Sequence, residues 1–466
     1  GVQHRKTPNV LLSKMRSRPP EGCDAPLSSQ DFPKQRFVTE GIYEVWERKL
    51  CFSVHQSVEH TMAMIEEMPS LFFFSNTLPE SYSPFCADFG PVDMSIVHRF
   101  CVVMREKVDH PLLQQRMLVF YTQMDPAHVT NTVLLMCCYL MLEFSITPED
   151  AVARFERIVD LPVVPFRDAT WEDPSYHLSV LDCLKGLRHA MSLGWIDPLN
   201  FHVSEYERLY ESLECDLNRI SPRFVAFAGP NDQTEGVLEE DVERQVVFRS
   251  AAGHVGHFRD LGVTDVVRLN ENAMYDDNVF NRDDPPMRHH AVEFEDCTAP
   301  SGETVRRFLD IVDSVGDGGV VAVHCLAGLG RTGTLIGCHM IKHDGFTAAE
   351  AIGYLRLMRP GSVIGPQQQF LDEVETAEWD GNAPVFAPIL ATRRSSLSPP
   401  STGSSRSPAN ARAGHAGGAA QAGGPPSQNG SGNKASFEMA RQVREGSARR
   451  SNDLMDARRV HEAEKG

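Results

Sequence analysis

No two of the 11 cysteines in this 466-residue sequence stand in a Cys-x-x-Cys pair, and their number is odd. Both facts argue against a disulfide framework and for a reducing, intracellular compartment. Long apolar runs are also missing. The longest, residues 133–142, falls well short of the roughly 18 that suggest a membrane span, and no signal peptide is visible. Positive charge is scarce: the net charge is −18. The imbalance is uneven, with 12 Lys and Arg against 6 Asp and Glu from Ala391 onward, leaving 33 against 57 before it. An acidic body disfavours nucleic acid and favours basic partners, though it also simply maintains solubility. With 41% apolar residues, the chain can still build two or three sizeable cores.

What is present centres on His324-Cys325-Leu326-Ala327-Gly328-Leu329-Gly330-Arg331-Thr332-Gly333. An apolar, β-branched segment, Val320-Val321-Ala322-Val323, leads in, and a helical apolar pattern leads out. A strand-loop-helix turn of this kind aims backbone N–H groups and the positive end of a helix at one point, which makes an anion cradle for a phosphoryl group. The cradle is Leu326, Ala327, Gly328, Leu329 and Gly330. Cys325 is the candidate nucleophile, because a helix N-terminus and nearby cations favour a thiolate. Arg331 returns over the loop and clamps two phosphoryl oxygens, which a lysine point charge cannot do. His324 is expected to fix the loop through its backbone, and Thr332 to stabilise the departing sulfur. The spacing Gly328-x-Gly330-x-x-Gly333 is by itself a weak dinucleotide signal. Asp88-Phe89-Gly90 looks like a kinase metal motif, yet no glycine-rich loop with a following lysine and no His-Arg-Asp loop accompany it, so it reads as structural.

The chain divides into a flexible basic arm (1–35), a catalytically silent copy of the later domain (36–175), linker helices (176–215), a catalytic domain (216–380) and a disordered, low-complexity tail (381–466). The silent domain is inferred from an internal duplication at an offset of 200 residues. Thr147-Pro148-Glu149-Asp150-Ala151-Val152 matches Thr347-Ala348-Ala349-Glu350-Ala351-Ile352, and Cys138 matches Cys338. Asp125 then falls on Cys325 and Asn131 on Arg331, so the first copy lacks nucleophile and clamp. Helices are expected over 132–144, 177–193, 203–213 and 241–261. The tail holds Ser398-Pro399 and Ser407-Pro408, candidate sites for proline-directed kinases, and a weak amphipathic pattern over 436–459.

A leaving alkoxide needs a proton donor. Asp296 lies on a loop ahead of the nucleophile, where it can protonate the leaving group and later deprotonate water; Glu293, Glu295 and Glu303 compete for the role. Glu205, Glu207 and Glu211 lie in one helical pattern. Glu207 and Glu211 share a face, either as a solvated surface or as an acidic wall for a basic substrate residue, with Asp168 a further candidate. Gln367 and Gln368 follow a rigid Arg359-Pro360-Gly361 turn, either to position water or to cap a helix.

Residues 324–370, together with Ala87-Asp88-Phe89-Gly90-Pro91, Pro165-Phe166-Arg167-Asp168-Ala169, Leu181-Asp182-Cys183-Leu184, Tyr206-Glu207 and Val267-Arg268-Leu269-Asn270, resemble the cell-division-cycle-fourteen dual-specificity phosphatases of the cysteine-dependent phosphatase superfamily. The resemblance covers about residues 35–380. It implies an α/β fold of two tandem phosphatase-like domains, the first without catalytic residues. It also implies a cofactor-free and metal-free phosphocysteine mechanism with Cys325 as nucleophile, Arg331 as clamp, Asp296 as acid and Glu207 in an acidic groove. Implied substrates are phosphoproteins bearing Ser-Pro sites with a basic residue downstream, and phosphotyrosine, in opposition to cyclin-dependent kinases in mitosis. Implied locations are nucleus or nucleolus, cytoplasm, centrosome or spindle; no oligomeric state is specified. The position after the nucleophile, commonly lysine in that family, is Leu326 here, and residues 271–290 also depart from its pattern. Rival readings are an inositol-lipid phosphatase, which the neutral Leu326 and Leu329 disfavour, and an inactive phosphoprotein-binding adaptor.

Overall fold

The structure, a computed structural model, describes residues 33–210, 212, 215–232, 249–271, 274–282 and 285–386. Most of the expected basic arm, Glu211, residues 241–248 and the tail with its Ser-Pro sites and 436–459 pattern lie outside the described residues.

Two sheets carry the chain. The first is built from β1 (Tyr43–Trp46), β2 (Leu50–His55), β3 (Leu71–Phe74) and β4 (Met117–Gln123), in the order β1-β2-β4-β3. The second is built from β5 (Leu217–Arg219), β6 (Phe224–Phe227), β7 (Val263–Arg268), β8 (Arg288–Ala291) and β9 (Val320–His324), in the order β8-β7-β9-β6-β5. In each, a central strand (β4 or β9) has parallel neighbours on both sides, and an antiparallel strand (β1 or β5) closes one edge. The second sheet repeats the first and adds β8. Every residue of β2, β6 and β9 is buried, as in strands covered on both faces, with Ser53, His55 and His324 the polar members.

The helices used below are α1 (Met94–Asp109), α2 (Pro126–Phe144), α3 (Pro148–Glu156), α4 (Val180–Ser192), α5 (Val203–Leu209), α6 (Gly302–Ser314), α7 (Gly330–Asp344), α8 (Ala348–Met358) and α9 (Gln367–Thr376). The duplication is visible here as well. α2 follows β4 and α7 follows β9, ending at Phe144 and Asp344, and Thr147 and Thr347 cap α3 and α8 by accepting from Asp150 N and Glu350 N. The two copies differ where the site lies. α2 begins not at 132 but at Pro126, with proline at its first position and the Asp125 carboxylate accepting from His128 N. The residues that would make a phosphate loop in the first copy are wound into an extra helical turn. α2 is long and apolar enough to cross a membrane, but residues 129–142 are all buried in the protein, as its central core helix.

The halves share one continuous core, and α4 joins them. α4 opens on a Ser179/Asp182 capping box and lies against α8. A Cβ on Gly186 would stand 2.2 Å from Glu350 O, and one on Gly353 would stand 2.8 Å from Cys183 Cα. The paired glycines thus permit a backbone approach that no larger residue allows. Four further boundaries differ from expectation. α4 runs over Val180–Ser192, not 177–193. α5 stops at Leu209, so the 203–213 helix is shorter; the described part of the 241–261 helix is Ala251–Asp260; and a hairpin of Glu378–Asp380 with Ala383–Val385 packs by α6, so ordered chain runs past 380.

Candidate active site

β9 delivers His324 and Cys325 to the carboxyl end of the sheet, and α7 begins five residues after Cys325. Cys325 is 3% exposed. The turn between them is possible because Gly328 takes a left-handed φ of 69°, and a Cβ there would stand 2.0 Å from Phe227 O. The loop carbonyls are tied from behind. His324 Nδ1 donates to Cys325 O at 2.9 Å, and Gly229 N donates to Leu326 O at 3.0 Å. Across a trans peptide the N–H points opposite to the C=O, so these bonds turn the Leu326 and Ala327 N–H groups toward the pocket. Among the described residues no side chain caps α7, which leaves its N-terminus open.

His324 is fully buried, and burial pushes its pKa down to about 3, so it is neutral. Because Nδ1 must carry the proton given to Cys325 O, Nε2 accepts, and the Tyr275 hydroxyl 2.7 Å away donates to it. Tyr275 then accepts from His289 Nε2 at 2.9 Å. Tyr275 and His289 escaped the sequence reading because they lie in the 271–290 stretch, which carries no recognisable spacing.

Arg331 is 2% exposed. Its Nη1 is committed, donating to Phe294 O at 2.8 Å and Glu271 Oε2 at 3.0 Å. Its Nε lies 3.1 Å from Asp296 Oδ1, within ion-pair reach, yet makes no hydrogen bond among the described residues. One edge of the guanidinium therefore anchors the side chain. Burial pulls Arg331 toward neutrality, but Cys325, Asp296 and Glu271 together outweigh burial and favour its charge. Of the four competing carboxylates, Asp296 faces the arginine. Glu293 pairs with Arg268 at 2.8 Å, Glu303 pairs with Arg306 on the outer face of α6, and Glu295 is exposed. Burial pushes the Asp296 carboxyl above the usual carboxylate range, against the pull of Arg331 and the Cys297 N–H, with Glu271 adding to the rise. Glu271 itself was not expected at the site. The Thr332 hydroxyl is buried without a hydrogen-bond partner among the described residues.

The remaining candidates sit differently. Gln368 is buried with its amide engaged, accepting from Arg356 Nη2 at 2.7 Å and donating to Gly365 O, so it braces the turn instead of reaching water. Gln367 approaches the loop: its Nε2 donates to Thr298 O, its Oε1 accepts from Ile364 N, and a Cβ on Gly330 would meet that oxygen at 2.8 Å. Asp168 is not part of an exposed acidic wall. It is buried and accepts from Gly365 N at 2.7 Å, pinning the silent domain to the catalytic turn. Glu207 is neutralised by Arg99 of α1 at 2.6 Å, because α5 packs beside α1, and Glu205 is exposed. The silent domain does reach the pocket, where Phe85, Cys86 and Ala169 pack with Leu329, Ala327 and Ile364. Asn131, at the place of Arg331, donates to Phe89 O at 2.8 Å and supports a turn. Asp88 likewise accepts from the Phe85 and Cys86 N–H groups and carries no phosphate loop.

A strand-Cys-x5-Arg-helix cradle with a facing aspartic acid, on a sheet flanked by helices, defines the cysteine-dependent phosphatase class. The sequence model described as "Dual specificity protein phosphatase, N-terminal half" matches residues 44–190, and that described as "Polymorphic toxin system, DSP-PTPase phosphatase" matches residues 244–345. Dual specificity protein phosphatase CDC14C of Homo sapiens is 35% identical over 74% of this chain and 74% of its own length. CDC14AB of Danio rerio is 39% identical over 66% of this chain and 49% of its own, and CDC14B of Mus musculus 38% over 66% and 61%. The match to these two thus spans 49% and 61% of their length. The crystal structure of PTPMT1 is similar over 34% of this chain and 93% of its own, at 20% identity and a TM-score of 0.26. The chain belongs to the CDC14 family of dual-specificity protein phosphatases.

Proposed function

We propose that the protein is a phosphoprotein phosphatase acting through a phosphocysteine intermediate. The observation that carries this is the convergence of Cys325, the open N-terminus of α7, the one-sidedly anchored Arg331 and the raised Asp296 on one pocket. Cys325 Sγ attacks phosphorus in line, so that the S–P bond forms as the O–P bond breaks, and Asp296 gives its proton to the leaving oxygen. The loop N–H groups and the free edge of Arg331 hold the equatorial oxygens as charge builds on them. Asp296, now a carboxylate, takes a proton from water, whose oxygen attacks the phosphocysteine and releases phosphate and the thiolate. Thr332 is the nearest free hydroxyl in sequence to receive that sulfur.

Phosphoserine and phosphothreonine before proline, with a basic residue downstream, together with phosphotyrosine, are the substrates we infer, in opposition to cyclin-dependent kinases. The buried apolar packing of Phe85 and Ala169 against Leu329 and Ile364 beside the pocket supports an apolar neighbour such as proline. A nuclear, cytoplasmic, centrosomal or spindle location goes with this reading. The test is turnover of a phosphopeptide library beside a phosphoinositide, with Cys325→Ser as control. Preference for Ser-Pro peptides with a downstream lysine and complete loss in Cys325→Ser are expected. Activity retained by Cys325→Ser, or preference for the lipid, refutes the proposal.

A further inference from the structure

Two loop carbonyls remain after His324 and Gly229 have taken those of Cys325 and Leu326. Both belong to one side chain. Arg359, at the C-terminal cap of α8 and 1% exposed, donates from Nη2 to Ala327 O at 3.0 Å and from Nε to Gly328 O at 2.9 Å. Its own position is fixed from the opposite side, where Nη1 donates to Asp216 Oδ1 at 2.7 Å and Asn218 Oδ1 at 2.6 Å, beside the edge strand β5. By the trans-peptide geometry used above, holding the Ala327 and Gly328 carbonyls back turns the Gly328 and Leu329 N–H groups toward the pocket. Only a planar fork spans two adjacent carbonyls and two acceptors at once; a lysine ammonium cannot.

We propose that Arg359 is a positioning residue for the reaction: it preorganises half of the oxyanion cradle from behind without touching substrate, and the buried Asp216 and Asn218 set its reach. The proposal rests on the phosphatase reading of the same pocket. It predicts that loss of Arg359 weakens binding of a five-coordinate transition-state mimic more than binding of the tetrahedral product, because the cradle's directions matter most where charge is greatest.

The test compares wild type, Arg359→Lys, and the double variant Arg359→Met with Asp216→Asn, in which no unpaired carboxylate is left buried to unfold the protein. Circular dichroism melts identify a temperature at which all three are folded. At that temperature, kcat and KM on an aryl phosphate and the inhibition constants of vanadate and inorganic phosphate are measured. Removing one preorganised oxyanion donor costs about 10²–10³ in kcat, so disordering two is expected to lower kcat of the double variant by about 100-fold or more. Its vanadate constant should rise by a similar factor, its phosphate constant by about ten-fold or less, and Arg359→Lys should fall between. A folded double variant with wild-type kcat and vanadate affinity overturns the positioning role. So does an equal loss for vanadate and phosphate. A wild-type protein without phosphatase activity overturns the functional reading instead.

Discussion

Asp296→Asn isolates the proton that the leaving group needs. Asparagine keeps the shape beside Arg331 Nε, 3.1 Å away, and can still accept from the Cys297 N–H at 3.0 Å, so the loop should stay in place while the acid is lost. Positioned general acids contribute about 10²–10⁴, or roughly 2.7–5.4 kcal/mol at 1.36 kcal/mol per decade. That full range applies to phosphoserine, whose alkoxide cannot leave unprotonated. A 4-nitrophenolate leaves almost unaided, so its loss should be about ten-fold or less. The sign of the pH dependence follows from burial. With its pKa raised in the folded protein, Asp296 is protonated below that value, and activity falls as pH rises through it. Asp296→Asn should therefore lower kcat/KM and abolish that alkaline limb. The same shift bears on stability, because a carboxyl that holds its proton more tightly when folded stabilises the fold at low pH and loses that contribution as pH rises through the folded value. Asp296→Asn should accordingly raise Tm more at pH 7 than at pH 4. Steady-state kinetics on paired phosphoserine and nitrophenyl substrates, from pH 5 to 8.5, read out the acid. Equal losses on both substrates, or an alkaline limb that survives, would refute the assignment and point to Glu271, the other carboxylate on Arg331.

Two further substitutions probe the frame around the site. Gly186→Ala places a methyl 2.2 Å from Glu350 O, which α4 and α8 can accommodate only by separating. Overpacking of this kind costs about 1–3 kcal/mol, and a denaturant midpoint unchanged from wild type would contradict the tight α4–α8 contact. Tyr275→Phe leaves the buried His324 Nε2 without a donor. A loss of about 1–3 kcal/mol in unfolding free energy, together with lower kcat, is expected; unchanged values in both would show that the hydroxyl does not hold His324.

Much of this site was legible in sequence because its parts are local. Cys325 to Arg331 is one turn, and the spacing alone dictates a strand, a cradle and a helix. The duplication was legible through capping, since Thr147 and Thr347 announce equivalent helix starts. Helical spacing tells which carboxylates share a face, not what packs against it: Arg99 lies 108 residues from Glu207, and Gly365 lies 197 from Asp168. The same distance in sequence hid Arg359, whose partners Asp216 and Asn218 precede it by 143 and 141 residues. A start of α2 at Thr132 neglected the cap that Asp125 and Pro126 provide together, which extends the helix by six residues.

That cap separates the two halves thermodynamically. Asp125 gives the first copy's helix a side-chain acceptor of its own, whereas α7 begins with no side-chain acceptor among the described residues and leaves that place to an incoming anion. The first half thus carries the acceptor at its helix terminus within the chain and presents no corresponding cradle to fill. The catalytic half gains RT ln(1 + [L]/Kd) whenever an oxyanion fills the cradle, about 2.7 kcal/mol at a hundred-fold excess over Kd. Because the two halves share one continuous core, that gain stabilises the whole molecule although only one copy of the turn takes an anion from solution, a duplication in fold that is not a duplication in linkage.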